Sequence, residues 1–413
     1  MKNMPELRFK EFSGEWKEEK FGRLFSFITT NSFSREKLNY NTGKVKNIHY
    51  GDIHTKFRSL FDIRREYVPF INEEILDKKI NDDNFCKEGD LVIADASEDY
   101  MAIGKTIELI NLNCEKIIAG LHTIMARPIN NNIAIGFTGY LMQSNNVRYQ
   151  IKLIAQGIKV LSISSKRLKE IFLNIPNIPE QQKIASFLSA IDKKIELTDK
   201  KLEFLEKYKK GLMQKLLTGK IRFPGFKDEW KEEKLGNLLT EIKKEKVQNQ
   251  QLHEVANIQL YGKGLKHTYK TPNITEKGRP YFCINEGDIL IGKQAFHCGS
   301  IAIATQDFEN CVTSNAILHV AENAQKVTKN FIVYYFKNEF FYNNLKRLSE
   351  GTGQKEIAKN EFQNIKIYIP SIILEQQKIA SFLSAIDKKI ELIKSRLENL
   401  KRYKKGLLQK MFV

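Results

Sequence analysis

The chain has 413 residues, of which 67 are Lys or Arg and 49 are Asp or Glu, for a net charge of +18 and a pI near 9.4. At about 100–200 residues per domain this length makes two to four units; the charge predicts attraction to a polyanion, and 10% aromatic residues interleaved with the cations favour nucleic acid over a bare membrane surface. No run of eighteen apolar residues and no signal-peptide core occur, and five scattered cysteines without CxxC spacing exclude a disulfide framework, so the reading is a soluble cytoplasmic protein with no membrane partner.

In chain order, Glu11–Phe25 reads as a lead-in to a first strand, with Trp16 as a packing anchor. From Lys44, KVKNIHYGDIHTKFRSLF gives short β-like runs broken by Gly51-Asp52. Lys44, Lys46, His49, Tyr50, His54, Lys56 and Arg58 then form a candidate DNA-binding set on one loop-rich surface. KEGDLVI (Lys87–Ile93) predicts a Gly-Asp turn entering an apolar strand, and Gly104 in AIGKTIEL the turn of a β-hairpin. A helical stretch follows over Phe137–Ile154, then a turn at Gln156-Gly157 and a strand ending in proline at Asn174–Pro176. Proline cannot donate to a ladder, so it hands the chain on to a helix.

The same order then returns. Trp230 stands where Trp16 stood, NEGDILI (Asn285–Ile291) repeats the turn and strand, and CGSIAIA around Gly299 repeats the hairpin. A helical stretch over Lys329–Leu348, a turn at Gly351-Thr352-Gly353-Gln354 and a strand at Tyr368–Pro370 complete the copy. Its polar loops supply a second candidate DNA-binding set: Tyr261, Lys263, Lys266, His267, Lys270, Lys293 and Gln294. Gly262-Lys263-Gly264 reads as a turn, because no strand–loop–helix phosphate motif surrounds it.

Each copy closes on the same eighteen letters, EQQKIASFLSAIDKKIEL, at Glu180–Leu197 and again at Glu375–Leu392, a constant offset of 195 residues. The lead-ins RFKEFSGEWKEEKFG (Arg8–Gly22) and RFPGFKDEWKEEKLG (Arg222–Gly236) repeat at an offset of 214, so the first variable region is longer by 19 residues. Apolar residues three and four apart continue past the repeat: Ile184, Leu188, Ile191, Ile195, Leu202 and Leu205 in one copy, Ile379, Leu383, Ile386, Ile390, Leu397 and Leu400 in the other. Only Lys209 and Lys404 break the seam. Sustained 3.5-residue periodicity predicts coiled-coil helices. An antiparallel register with Ile184 opposite Met411 sets Asp192 against Lys401 and Asp199 against Lys394, and leaves Glu206 facing Asp387. Gly211 and Gly406, each costing about 1 kcal/mol relative to Ala inside a helix, fit either a close backbone approach or fraying near the end.

The expected layout is therefore α+β: two similar globular regions joined by two long helices in an antiparallel coiled coil with pseudo-two-fold symmetry. Residues 1–178 form the first region with its lead-in, 179–218 the first helix, 219–373 the junction and second region, and 374–413 the second helix. Catalytic signatures are missing: there is no Walker P-loop, HExxH, GxSxG, Asn/Asp-Pro-Pro-aromatic stretch or nuclease carboxylate set. His297 and Cys298 between Cys283 and Cys311 read as ordinary residues rather than zinc ligands, so no catalytic residue and no metal is expected.

The duplicated EQQKIASFLSAIDKKIEL, each copy preceded by a Pro-ended strand and followed by LxxLxxYKKGLxQK, resembles the conserved regions of type I restriction-modification specificity subunits. YGDIHTKF (Tyr50–Phe57), the two EGD turns and the LTGKIRFPGF junction are similar to that family as well. The resemblance implies two target-recognition domains, each reading half of a bipartite double-stranded DNA site, with the helices as a ruler for the unread spacer. It implies two modification subunits that carry S-adenosylmethionine and methylate adenine, and restriction subunits that use ATP and Mg; this chain itself would bind no cofactor. A stand-alone DNA-binding or coiled-coil assembly protein without methyltransferase partners is the alternative.

Overall fold

The computed structural model describes residues 3–75, 81–244, 246–247, 253–274, 278–346 and 357–413. It is a mixed α+β protein of two compact units, one of Met1–Asp199 with Arg396–Val413, the other of Lys200–Ser395. These limits differ from the expected segments: each unit takes a globular region together with part of both long helices. The reason lies in the packing, since the seam residues of each helix part join the core of their own unit.

In the first unit, the strand Leu91–Ala94 lies within a five-stranded sheet in the order 25–28, 123–128, 91–94, 106–111, 60–62. All four of its residues are buried. Leu91 and Ile93 pack on one side with Trp16, Phe137, Tyr140 and the helix residues Ile184, Leu188, Leu407 and Met411. Val92 and Ala94 pack on the other with Ile48, Ile53, Phe61 and Met125. Alternation of side chains along a strand makes this possible, and a sheet covered on both faces reads as a continuous apolar run. The EGD turn before it holds Gly89 at φ 90°, where a Cβ is strained, while Asp90 accepts from the Lys87 backbone N–H at 2.7 Å. The hairpin expected at Gly104 is present, with Leu91–Ala94 antiparallel to Thr106–Asn111.

Two expected elements change in detail. Gly51-Asp52 does not break a β run: it lies inside a helix, Tyr50–Thr55, that follows the strand Lys46–Ile48. His49 caps that helix by accepting from the Gly51 N–H at 3.1 Å, and Asp52 sits in its first turn, where a negative charge is favoured. The stretch Phe137–Ile154 is two helices, Thr138–Leu141 and Asn145–Ile154, because Ser144 starts the second by accepting from the Val147 N–H.

The second unit follows the same plan with a shorter sheet, in the order 239–241, 317–322, 289–292, 301–303. Ile289 and Ile291 face a core containing Trp230, Phe331, Phe336, Ile379 and Leu383, and Leu290 faces a smaller cluster with Ala256 and Cys311. Its helical stretch is likewise divided, into Lys329–Lys337 and Glu339–Lys346. The turn expected at Gly351–Gln354 lies outside the described residues. The first unit also carries the helix at 50–55 and the strand Leu60–Asp62, which pairs parallel with Thr106–Asn111.

The lead-in and the Pro-ended strand find each other in both units. Lys17–Lys20 pairs antiparallel with Phe172–Ile175, and Trp230–Lys234 with Lys366–Pro370. Each pair delivers the chain to a long helix, Ile178–Leu216 or Ile373–Lys410. In the first unit the start of the first helix packs against the end of the second; in the second unit the remaining parts pack, with Leu205, Ile386 and Ile390 buried together. The helices are antiparallel within each unit, as the register predicts, but the flanking pairs are different. Asp192 meets Lys404 at 2.6 Å, not Lys401, and Lys394 meets Glu206 at 3.2 Å, not Asp199. Asp387 pairs with Lys209 at 2.5 Å, so the expected Glu206–Asp387 repulsion is relieved. The two lysines that interrupt the seam are thus the partners of the two acidic residues. Among the described residues nothing lies within 4 Å of a Cβ added at Gly211 or Gly406, which removes the close-approach reading.

Candidate nucleic-acid interface

Identical letters in the two helices hold each globular region in place. Arg8 donates through Nε and Nη2 to both oxygens of fully buried Glu180, each at 2.7 Å, and Trp16 Nε1 donates to the same carboxylate at 3.3 Å. Arg222 grips Glu375 in the same bidentate way at 2.8 and 2.7 Å, but Trp230 Nε1 is buried without a hydrogen-bond partner among the described residues. The next residue works equally: the Gln181 amide accepts from Ala134 N–H and donates to the carbonyls of Asn132 and Pro176, while Gln376 accepts from Thr328 N–H and donates to those of Lys326 and Pro370.

A second anchor starts from a buried acid. Glu108 accepts from the N–H groups of Gly136 and Gly139, both at 2.6 Å, which fixes the helix bearing Tyr140. Burial pushes the Glu108 carboxyl up to about 7 against the pull of these bonds. The Tyr140 hydroxyl donates to Asp192 at 2.8 Å, and Lys404 lies over the Tyr140 ring and on Asp192. Tyr334, Asp387 and Lys209 repeat the triad, with the hydroxyl at 2.7 Å from Asp387. Burial, together with the neighbouring carboxylate, pushes both phenols up, so each stays a neutral donor.

The seven candidates of the first region separate. His49 is buried as a cap, and burial, then Arg35, pushes its imidazole down. Lys46 is held by Glu115 and over the Phe70 ring. Arg58 reaches back to Glu196 on the first long helix at 2.9 Å. Lys56 bridges Asp52 at 2.9 Å and the Tyr40 hydroxyl at 3.0 Å. Burial raises Asp52, but hydrogen bonds from Arg35 and Lys56 outweigh it and hold the carboxyl below the usual range. These four serve the fold or neighbouring groups before any ligand. Lys44 remains largely exposed beside Glu73, and Tyr50 and His54 remain together.

Around Tyr50 the structure assembles what local reading missed. His49, His54 and His122 surround its ring at centroid distances of 4.7, 6.2 and 5.2 Å. His122, in the turn between Ile117–Ala119 and Thr123–Pro128, has φ 54°, a conformation that costs a non-glycine residue and often marks a functional position. Its Nδ1 lies 3.4 Å from Asp95 Oδ1. Burial raises Asp95 against the pull of His122. The His54 Nε2 is bonded to the Ala96 carbonyl at 2.9 Å. Tyr50 and His122 thus present an aromatic face and a polar ring at one partly exposed place. The only sequence signal for His122 is a turn beginning at Gly120.

In the second region Lys266, His267 and Lys270 lie on or just after the strand Leu265–His267, with Lys266 and Lys270 exposed. Tyr261 and Lys263 do not share that edge. They line an open groove of about 760 Å³ with Lys337, Glu339 and the helix residues Glu206, Lys209 and Asp387. Lys293 is half-buried and Gln294 exposed, both in the short helical turn Lys293–Cys298. Of the four residues weighed as zinc ligands, only Cys311 enters a donor cluster among the described residues, and its companions are Glu254 and His267.

The family model for the type I restriction modification DNA specificity domain matches residues 13–207 and 227–402. A Methanocaldococcus jannaschii chain assigned as the MjaX type I restriction enzyme specificity subunit is 26% identical over 98% of this chain and 95% of its own length. The MjaVIII type I restriction enzyme specificity subunit of the same organism is 26% identical over 62% of this chain and 65% of its own length. The fold is similar to that of a type I restriction-modification S subunit from M. genitalium, at a TM-score of 0.61 and 15% identity over 99% of both chains.

Proposed function

Since the chain belongs to the type I restriction-modification DNA specificity family, we propose that it reads a bipartite DNA target, one half-site per globular region, and directs adenine methylation and ATP-dependent restriction by partner subunits. The observation that carries this reading is the duplication of the anchoring, not of the surface. Arg8–Glu180 and Arg222–Glu375, with the two Tyr–Asp–Lys triads, fix both regions to the helices by the same bonds. The side chains displayed beyond those anchors differ between the regions. That arrangement suits two readers of unlike sequences on a common support. Two modification subunits carrying S-adenosylmethionine would supply the methyl transfer, and restriction subunits would use ATP and Mg; this chain's part is positioning, with base-edge contacts giving sequence choice and cations on phosphates giving affinity.

The test is methylome sequencing of cells carrying this chain with modification subunits, against cells lacking it. A new bipartite adenine-methylated motif is expected. A stable complex with modification subunits and no motif would defeat the reading, and no complex at all would favour the stand-alone alternative. Within that assay, Tyr50→Ala and His122→Gly are expected to relax one half-site and leave the other intact. One good base contact is worth about 1–3 kcal/mol of discrimination, and glycine is at ease at the positive φ of His122. Simultaneous change in both half-sites would show that these residues act through folding instead. Exchange of the whole Lys44–Arg58 segment is a poorer test, because Asn47, Ile48, Asp52 and Ile53 are fully buried.

A further inference from the structure

We propose that Glu254, His267 and Cys311 form a binding site for a zinc-type divalent cation in the second globular region. They come from three neighbouring strands, and the pairing register brings them to one face. Glu254 is the Cα partner of Cys311 across a parallel pair, and Ala256, two residues along the same strand, is the partner of His267 across an antiparallel pair. Residues opposite one another, and residues two apart along a strand, share a face. Ala256, the residue between them on that face, contributes only a methyl group and is buried.

The two distances from His267 lie near those expected around one ion. His267 Nδ1 lies 3.1 Å from Glu254 Oε2 and 3.8 Å from Cys311 Sγ, and the three ligand atoms all lie within 4.8 Å of one another. Tetrahedral zinc bonds of about 2.0–2.3 Å put neighbouring donors roughly 3.3–3.8 Å apart. A thiolate, an imidazole and a carboxylate form a mixed set that suits zinc rather than the all-oxygen cages of calcium or magnesium.

The surroundings hold these donors as ligands are held elsewhere. The Tyr269 N–H donates to Glu254 Oε1 at 2.7 Å, leaving Oε2 for the site, and Phe308 stacks on the His267 ring at 4.3 Å. Outer contacts of this kind orient metal ligands and set their affinity. Cys311 is buried at the rim of the apolar cluster with Ala256 and Leu290, while Glu254 and His267 are partly exposed, so the ion would enter from solvent and keep a fourth position for water. Burial and the Glu254 charge both push the Cys311 thiol up; a bound cation reverses that preference, since a coordinating thiol is deprotonated. Bound there, the ion would tie three strands together.

The test uses the full chain, reduced and stripped of metal, titrated with Zn2+ against a chromophoric chelator and separately with Co2+. About one Zn2+ per chain and a thiolate-to-cobalt charge-transfer band are expected. Cys311→Ser should abolish the band, and His267→Gln should weaken Zn2+ binding by at least about tenfold. The melting curves of the metal-free variants should match metal-free wild type; if Cys311→Ser fails this check, His267→Gln and Glu254→Gln carry the test. Equal Zn2+ binding by wild type and the folded variants, or no Zn2+ bound by wild type, would overturn the proposal.

Discussion

Glu180→Ala is expected to destabilise the first unit by about 3 kcal/mol, the lower end of what breaking a buried ion pair costs. Glu180 is fully buried, and its removal strips two charge-assisted bonds from Arg8 and the acceptor from Trp16 Nε1. The Arg8 side chain keeps 14% exposure, so some water can reach it and the cost stays below the maximum. Glu375→Ala should cost less, because Arg222 is more exposed at 23% and Trp230 Nε1 has no partner to lose among the described residues. Urea unfolding of the single variants measures this directly. A loss below about 1 kcal/mol for Glu180→Ala would mean that the shared Arg–Glu grip does not hold the unit together.

Lengthening the helices by one heptad should have the largest functional effect. Seven helical residues add about 10 Å at 1.5 Å per residue, close to three base pairs at about 3.4 Å each. Inserting a heptad after Asp199 alone lengthens one helix of an antiparallel pair and not the other. The Lys209–Asp387 and Lys404–Asp192 pairs then cannot both keep their partners without a bulge, and methylation is expected to fall below detection. Matched heptads after Asp199 and Ser395 preserve every pair and should restore methylation, at a target whose unread spacer is longer by about three base pairs. Methylome sequencing reads both outcomes. An unchanged spacer in the matched variant would end the ruler idea.

The plan of the molecule is legible in the repeat alone. A 195-residue offset with unchanged letters implies two copies, and a 3.5-residue apolar period implies the long helices, because both are local patterns that burial imposes on neighbouring residues. The strands after the EGD turns and the Pro-ended strands are legible for the same reason: glycine and proline mark where backbone geometry is special. The helix at Tyr50–Thr55 is not, since its start depends on His49 acting as a cap, an unusual choice for that place.

What the repeated letters are for is decided only in three dimensions. Arg8 and Glu180 are 172 residues apart, and Tyr140 meets Asp192 across 52. The turn of His122 reaches Tyr50 only because Ile117–Ala119 pairs with Lys46–Ile48, and the Glu254, His267 and Cys311 donors meet only through strand register. Composition and periodicity determine which residues must be buried and in what elements. Hydrogen-bonded charge pairs and ligand clusters depend on distances of a few ångströms between segments far apart in the chain, and those distances exist only once the sheets have paired.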